Sequence, residues 1–390
     1  MDSLLALLIF GFLVAWVGHA CIWTSLLNHV YGRPFSKAFL RPWRLTTGII
    51  IVAFPLLVPM VTRPADLVSE GLPRSLGVWG WLALVYIGVG LVFGGVILPA
   101  ITLYRLLRPR PPALTTERSE TVDFRVGGAD VFGSGKWAWI ARLPRNDVYR
   151  VDFTDLTLTL PDLPPAWDGL TILLLSDLHF HGIPGRGFFD RVIDRIVAAP
   201  PTDLVCLVGD YLDSDEHRAW IGPVLGRLTA TGEKFAILGN HDEHYNPEDV
   251  RADLVAAGYR VIGNGWTEAT VRGERFVVVG HEGPWFVPPP DLSDAPPGLF
   301  RLCLSHTPDN IYWGRKNGIR LMLCGHVHGG QIRVPVIGPI FIPSVYGRRF
   351  DSGVFEGEGT VMVVGRGLSG KEPLRFRCPP QVIRITLRPR

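Results

Sequence analysis

The chain reads as an α/β protein: N-terminal transmembrane helices joined to a domain in which short strands alternate with helices. Three observations predict this. Only 19% of the 390 residues are charged while 47% are hydrophobic, whereas an ordinary soluble domain is about a quarter charged. Three long stretches near the N-terminus contain no Asp, Glu, Lys or Arg. Beyond residue 120, short apolar runs alternate with segments of helical periodicity, the pattern of an α/β fold. The length suits two or three domains.

The apolar stretches come first. Thirty uncharged residues lie between Asp2 and Arg33, 18 run from Leu45 to Thr62, and thirty run from Ser75 to Tyr104. A helix crosses the hydrocarbon core with roughly 20 apolar residues, so spans are expected at about 4–27 and 76–104. The segment 45–62 carries Pro55 and Pro59. It reads as a kinked span supported by its neighbours, with a re-entrant segment as the alternative. Residues 1–108 then form a membrane region and 109–121, rich in Pro, Arg and Thr, a linker to a domain over 122–390. No Lys or Arg precedes the first run, which is too long for the core of a cleavable signal. Trp16, Trp23, Trp43, Trp79, Trp81 and Tyr104 lie mostly toward span ends, where amphipathic rings prefer the interface. His19, Cys21 and His29 in or beside the first span read as structural or interfacial groups.

Arg33, Lys37, Arg41 and Arg44 follow the first span, and Arg105, Arg108, Arg110 and Arg118 follow the third. The intervening loop has only Arg63 and Arg74. With three crossings, both basic segments share one side, which the positive-inside rule makes the cytoplasm. A multi-pass protein of the cell (inner) membrane is expected, its C-terminal domain facing the cytoplasm. Residues 1–120 hold ten Lys and Arg against five Asp and Glu, so a net charge of +3 leaves the rest slightly acidic. That argues against nucleic acid as a partner, which would need the basic excess on the folded domain. Five widely spaced cysteines form no CxxC pair and no disulfide framework.

In the α/β part, strands are expected at 148–160, 171–175, 204–208, 235–238, 276–279, 301–304, 320–323 and 361–364. Several are continuous apolar runs, as in strands buried on both faces. Phe189, Val192, Ile193, Ile196 and Val197 recur at helical spacing over 188–198. A second helix starts after Asn246, an N-cap candidate followed by Pro247, Glu248 and Asp249. The stretch 288–297 is a loop. Cys206, Cys303 and Cys324 fall inside strands and read as core.

The residues that close the apolar runs carry the chemistry. LLLSDLH ends in Asp177 and His179, LVCLVGDYLD in Asp210 and Asp213, and FAILGNHDEH in Asn240, His241 and Asp242. LCLSHTPD ends in His306, and LMLCGHVHGG in His326 and His328. Five strands thus deliver Asp, Asn or His at their carboxyl ends, the edge where open α/β sheets bind ligands. Carboxylates and imidazoles without thiolates suit Mn, Fe, Zn or a similar divalent ion. Seven candidates exceed one tetrahedral shell and suffice for two ions about 3.5–4 Å apart, an arrangement used in phosphoester hydrolysis.

D-x-H, GD-x-x-D, GNH-D, a strand-end His and GH-x-H, in this order, resemble the signature of the calcineurin-like metallophosphoesterases over roughly residues 165–375. The strings LSDLH, GNHD, GHVHGGQ and SVYGRRFDSG resemble its bacterial YkuE/YaeI-type branch, itself similar to transmembrane protein with metallophosphoesterase domain. The resemblance implies a two-sheet β-sandwich flanked by helices and two divalent metals, Mn favoured. It implies Asp177, His179 and His328 at one ion, Asn240, His306 and His326 at the other, and Asp210 bridging. His241 would face the scissile phosphate, protonating the leaving oxygen with an imidazole whose ordinary pKa is near neutral. The second motif, GDYLDSD, lacks the Arg and Gly of the Ser/Thr phosphatase relatives, which argues against phosphoprotein substrates.

The reading is therefore a membrane-anchored phosphoesterase cleaving a phosphodiester or pyrophosphate bond in a phosphorylated, lipid-linked substrate. A UDP-2,3-diacylglucosamine hydrolase-like step of lipid A synthesis is the leading specific expectation. The alternatives are a general phosphodiesterase or nuclease for which the membrane is only an address, and a decayed membrane scaffold. His181 and His244 read as solvent-facing or supporting groups. His281-Glu282 and Arg348-Arg349 remain open between structural and substrate-facing roles.

Overall fold

The computed structural model describes residues 2–62, 77–126, 128–135 and 137–390. Three helices are long and apolar enough to cross a membrane: α1 (Asp2–Tyr31), α2 (Lys37–Thr62) and α3 (Val78–Leu107). All extend past the expected spans. Helix α2 continues through Pro42, Pro55 and Pro59 as one element. A single π-helical turn at Phe93–Ile97 interrupts α3. Arg63, Arg74 and the first residues of the expected third span lie outside the described residues.

Small residues set how closely these helices approach. A Cβ on Gly18 would meet the Gly90 carbonyl oxygen at 1.8 Å, and one on Gly94 would meet the Val14 oxygen at 2.2 Å. The Gly90-x-x-x-Gly94 face thus lets two backbones touch where lipid gives no hydrophobic drive to associate. Polar side chains reinforce the bundle. His19 Nδ1 lies 2.7 Å from the Tyr86 hydroxyl and Nε2 3.1 Å from the Ile50 oxygen. Trp16 donates to Ile51 O and Trp23 to Tyr86 Oη, so these two rings serve the bundle interior and not the interface.

The rest of the chain builds two sheets. The first contains β1 (Leu114–Asp123), β2 (Arg150–Leu160), β3 (Thr171–Leu175), β4 (Leu204–Val208), β5 (Lys234–Ile237) and β6 (Arg260–Val261). The second contains β7 (Gly265–Val271), β8 (Glu274–His281), β9 (Phe300–Ser305) and β10 (Leu321–Cys324). After a small hairpin, β11 (Arg333–Val334) and β12 (Gly338–Pro339), it gains β13 (Gly353–Gly357) and β14 (Thr360–Val364). The last strand, β15 (Gln381–Pro389), returns to the first sheet. The orders are β1-β2-β15-β3-β4-β5-β6 and β13-β14-β10-β9-β8-β7.

Side-chain alternation assembles the layers. Ile172 and Leu174 of β3 enter the core between the sheets together with Leu321 and Leu323 of β10. Leu173 and Leu175 face the opposite way, onto α4 (Arg186–Val197) and α5 (Pro247–Ala256) through Phe189, Val192 and Leu254. Met322 and Cys324 of β10 enter a third cluster with Ile311 of the short helix α6 (Ile311–Lys316). Both faces of the central strands are dry, which explains their unbroken apolar runs. Cys206, Cys303 and Cys324 are fully buried there.

Two expectations need correction. The segment 109–121 is not simply a linker, because from Leu114 it forms β1, antiparallel to β2. Its TERSETVD sequence lies on a sheet edge with nearly every side chain in solvent, so it lacks the alternation that marks a half-buried strand. Asn246 precedes α5 but does not cap it with its side chain; its backbone is left-handed, with φ 47°.

Hydrogen bonds tie the α/β domain to the ends of the spans. Asn28 of α1 donates to Ile340 O and accepts from Ile342 N, and His29 Nδ1 lies 3.1 Å from Val345 O. Arg44 of α2 pairs with Glu372 at 2.9 Å. Arg105 of α3 pairs with Asp351 at 2.9 Å.

Candidate metal centre

Strands β3, β4 and β5 run parallel in one sheet, and β8, β9, β10 and β14 run parallel in the other. The loops leaving the carboxyl ends of five of them converge. Asp177, His179, Asp210 and His328 bring one donor atom each to within 4.8 Å of one another, and so do Asp210, His306 and His326. Asp210 is common to both groups. Asn240 joins the second through Oδ1, 3.0 Å from His306 Nε2. All seven candidate residues therefore meet in one place, and His241 lies at its edge, partly exposed.

The turns that bring them there are unusual. Asp177, His179, Asp210, His326 and His328 all have φ between 46° and 69°, the left-handed region that costs a non-glycine residue on the order of 1 kcal/mol or more. The loops are laced together to hold it. Asp177 N donates to Gly209 O, His179 N to Asp210 O, and Ser369 N to Asp177 O. Gly239 and Gly367 must be glycine, since a Cβ would meet Asp210 Oδ1 at 2.2 Å or Asp177 Cβ at 2.6 Å.

One pattern governs the imidazoles. His306 Nδ1 donates to Val208 O at 2.8 Å, His328 Nδ1 to Ser369 O at 3.1 Å, and His179 Nδ1 to Asp213 at 2.9 Å. An imidazole that donates from Nδ1 presents the lone pair of Nε2. The Nε2 atoms of His179 and His328 then face each other at 3.1 Å, a pair that a shared proton or cation holds together. Among the described residues, His326 Nε2 is buried without a hydrogen-bond partner, a cost of about 1–3 kcal/mol. Asp210 spends Oδ1 on the His241 amide at 2.8 Å and leaves Oδ2 between His179 Nε2 at 3.5 Å and His306 Nε2 at 3.4 Å. Converging lone pairs and a shared carboxylate oxygen are what divalent cations relieve. The donor set fits such ions.

Electrostatics agree. Burial disfavours the charged form of His179, yet Asp213, Asp210 and Asp177 outweigh it and push the ring up to about 9. His306 rises to about 9 in the same way, burial being outweighed chiefly by Asp210. Burial and then the His306 charge push His326 down to about 3. Although burial opposes it, the neighbouring histidines hold Asp210 well below the carboxylate range. The cluster is thus short of positive charge.

Three supporting residues were not assigned roles from sequence. Asp213 accepts from His179 Nδ1 and, at 2.5 Å, from His241 Nδ1. Asp242 is fully buried and accepts from the backbone amides of Asp210, Tyr211, Leu212 and Gly239. Trp285 lays its ring against His326 and His306, with centroids 4.6 and 5.6 Å away. Asp213 and Asp242 stand in the motifs themselves, and that position was the available signal; Trp285 gave none. Two of the residues left open make structural contacts. Glu282 is buried, accepts from Leu238 N and pairs with Arg251. Arg348 donates to Ile337 O and Pro339 O. His181, half-buried, is held by Gly370 O at 3.2 Å.

Comparison with known proteins gives the same picture. The family model described as calcineurin-like phosphoesterase matches residues 170–330, the span holding every candidate ligand. An uncharacterized metallophosphoesterase of Bacillus subtilis, YkuE, is 30% identical over 249 residues, 62% of this chain and 86% of its own. The phosphodiesterase YaeI of Escherichia coli is 33% identical over 223 residues, covering 55% and 81%. The UDP-2,3-diacylglucosamine pyrophosphatase LpxG of Chlamydia muridarum is 23% identical over 309 residues, covering 63% and 91%. With paired histidines and aspartates meeting at the sheet edges and relatives matched over most of their length, the chain belongs to the calcineurin-like phosphoesterases, metal-dependent hydrolases that normally bind two divalent ions.

Proposed function

We propose that the chain is a membrane-anchored phosphoesterase that cleaves a phosphodiester or pyrophosphate bond in a lipid-linked substrate at the cytoplasmic face of the cell membrane. The observation that carries the reading is the position of Asp210 Oδ2 between two imidazoles of separate donor groups. In this reading Asp177, His179 and His328 hold one cation, Asn240, His306 and His326 the other, and Asp210 both. When bound, such a pair neutralises phosphoryl oxygens and makes hydroxide available near neutral pH.

The chain's own groups do the rest. Attack on phosphorus in line opposite the leaving oxygen breaks that P–O bond, and the leaving oxygen needs a proton. His241 is anchored through Nδ1 to Asp213, which keeps Nε2 for that proton. Asp213 spans His241 and His179, so the proton donor and a cation ligand keep a fixed separation. No serine or cysteine nucleophile is required.

The membrane side rests on the three apolar helices and on the contacts of Asn28, His29 and Arg44 that hold the domain against them. A domain so held presents its site to amphiphiles, and LpxG is similar over 91% of its length. The test is hydrolysis of UDP-2,3-diacylglucosamine and of bis(p-nitrophenyl) phosphate by the detergent-purified full chain with Mn²⁺, with metal analysis. Cleavage of the lipid substrate with about two ions per chain is expected. Activity surviving Asp210→Ala combined with His241→Ala would overturn the mechanism. Faster cleavage of water-soluble diesters than of the lipid would favour a general phosphodiesterase tethered to the membrane.

A further inference from the structure

The membrane region does more than hold the domain near the bilayer. Lys37 is the first residue of α2, where a cation opposes the helix dipole and no acidic residue occupies the first turn. Its ammonium lies 5.5 Å from the centre of the Tyr245 ring. Tyr245 follows the single turn Asp242–His244, directly after His241. Lys37 is within electrostatic reach of Asp210 and Asp213, and also of Lys371 and Arg41. His244 feels both lysines: burial first, then Lys37, His241 and Lys371, push it down to about 4.

Lys371 stands on a loop built into the site. The neighbouring Gly370 carbonyl accepts from His181, Ser369 O accepts from His328 Nδ1, and Glu372 pairs with Arg44 of α2. That ion pair ties α2, the helix that begins at Lys37, to the loop that carries Lys371. Among the described residues, neither Lys37 nor Lys371 makes an ion pair. Lysines near one site raise the local potential for anions, and two bound cations would raise it further.

We propose that Lys37 and Lys371 bind a second phosphoryl group of the substrate, beside the one hydrolysed, so that a membrane helix supplies part of the substrate site. This rests on the phosphoesterase reading and deepens it: the preferred substrate is a diphosphate whose lipid end remains near the start of α2. A diester with a single phosphoryl group leaves the pair without its partner.

The test uses the full chain in neutral detergent micelles, where attraction of basic residues to anionic lipid does not contribute. The lipid diphosphate of the assay above and bis(p-nitrophenyl) phosphate are compared for Lys37→Gln, Lys371→Gln and Lys37→Arg. A charge-assisted contact is worth about 1.5 kcal/mol or more, about tenfold in binding. Each Gln variant should lower the preference for the diphosphate about tenfold, chiefly through KM, and Lys37→Arg should restore most of it. Equal losses on both substrates, or Gln variants with the parent's preference, would overturn the inference while leaving the hydrolase intact. Parent protein active on the diester but inert toward the diphosphate would overturn it too. Inactivity toward both strikes the phosphoesterase reading itself.

Discussion

Asp213→Asn separates the two tasks that one carboxylate performs. Its oxygens accept from His179 Nδ1 at 2.9 Å and from His241 Nδ1 at 2.5 Å, with its side chain only 4% exposed. An asparagine of the same shape keeps one acceptor and turns an NH₂ toward the other imidazole. That ring must move its proton to Nε2 to avoid donor meeting donor, and it then loses the lone pair or changes the proton it can give. If the His179 contact is lost, Mn²⁺ affinity should fall about 10–100-fold, the usual cost of removing a group that orients a metal-binding histidine. If the His241 contact is lost, kcat at saturating Mn²⁺ should fall about 10²-fold or more, the scale of general-acid catalysis. Metal titration by calorimetry and kcat at saturating metal read the two effects separately. A variant matching the parent in both would refute the claim that Asp213 sets the protonation pattern of these rings.

Other consequences can be measured more directly. Asp242→Asn puts an NH₂ among four backbone amides, so the thermal melt of the full chain should show a loss of about 2–3 kcal/mol with weaker metal binding. Burial pushes Asp309 up to about 6, although its carboxylate accepts from Ser344 Oγ and Val345 N. A carboxyl raised in the folded state binds its proton there first, so its stabilisation is complete below about pH 4 and is lost as pH rises through about 6. Asp309→Asn should therefore remove a decline in Tm between those values that the parent shows. Burial also pushes the Cys206, Cys303 and Cys324 thiols up, so iodoacetamide at neutral pH should leave all three unmodified in the native protein and label them after denaturation.

Strands β3 and β4 were legible to the residue because both faces are buried, so every position after Thr171 is apolar. β1 was not, since an exposed edge strand has no pattern to read. β15 did carry a signal, Ile383, Ile385 and Leu387 on one face, but nothing in the linear order shows that the C-terminus returns between β2 and β3. The candidate ligands were legible for a related reason: each follows an apolar run, and the parallel strands behind those runs end at one edge. Arg375 was invisible, because its fully buried guanidinium serves carbonyls of residues 328, 366, 369 and 378 and lies 3.4 Å from His328 Nδ1, partners that the fold alone assembles.

The same distinction bears on how far the site extends. Groups that strands deliver announce themselves, while groups that tertiary contacts deliver do not, and Lys37 belongs to the second kind. By charge alone it counts among the basic residues that orient a membrane protein, a role that any position near the end of a span could fill. What separates it from Arg33 is geometry. Arg33 lies back against His29 of the preceding helix, whereas Lys37 reaches the Tyr245 ring beside His241, and the Arg44–Glu372 pair holds its helix to the loop that orients His328. A helix needed only as a tether has no reason to be bonded to the loop behind a candidate cation ligand. The helices and the site are therefore built as one unit, in which shifting α2 by a turn would displace Lys37 and strain the loop carrying Ser369 together.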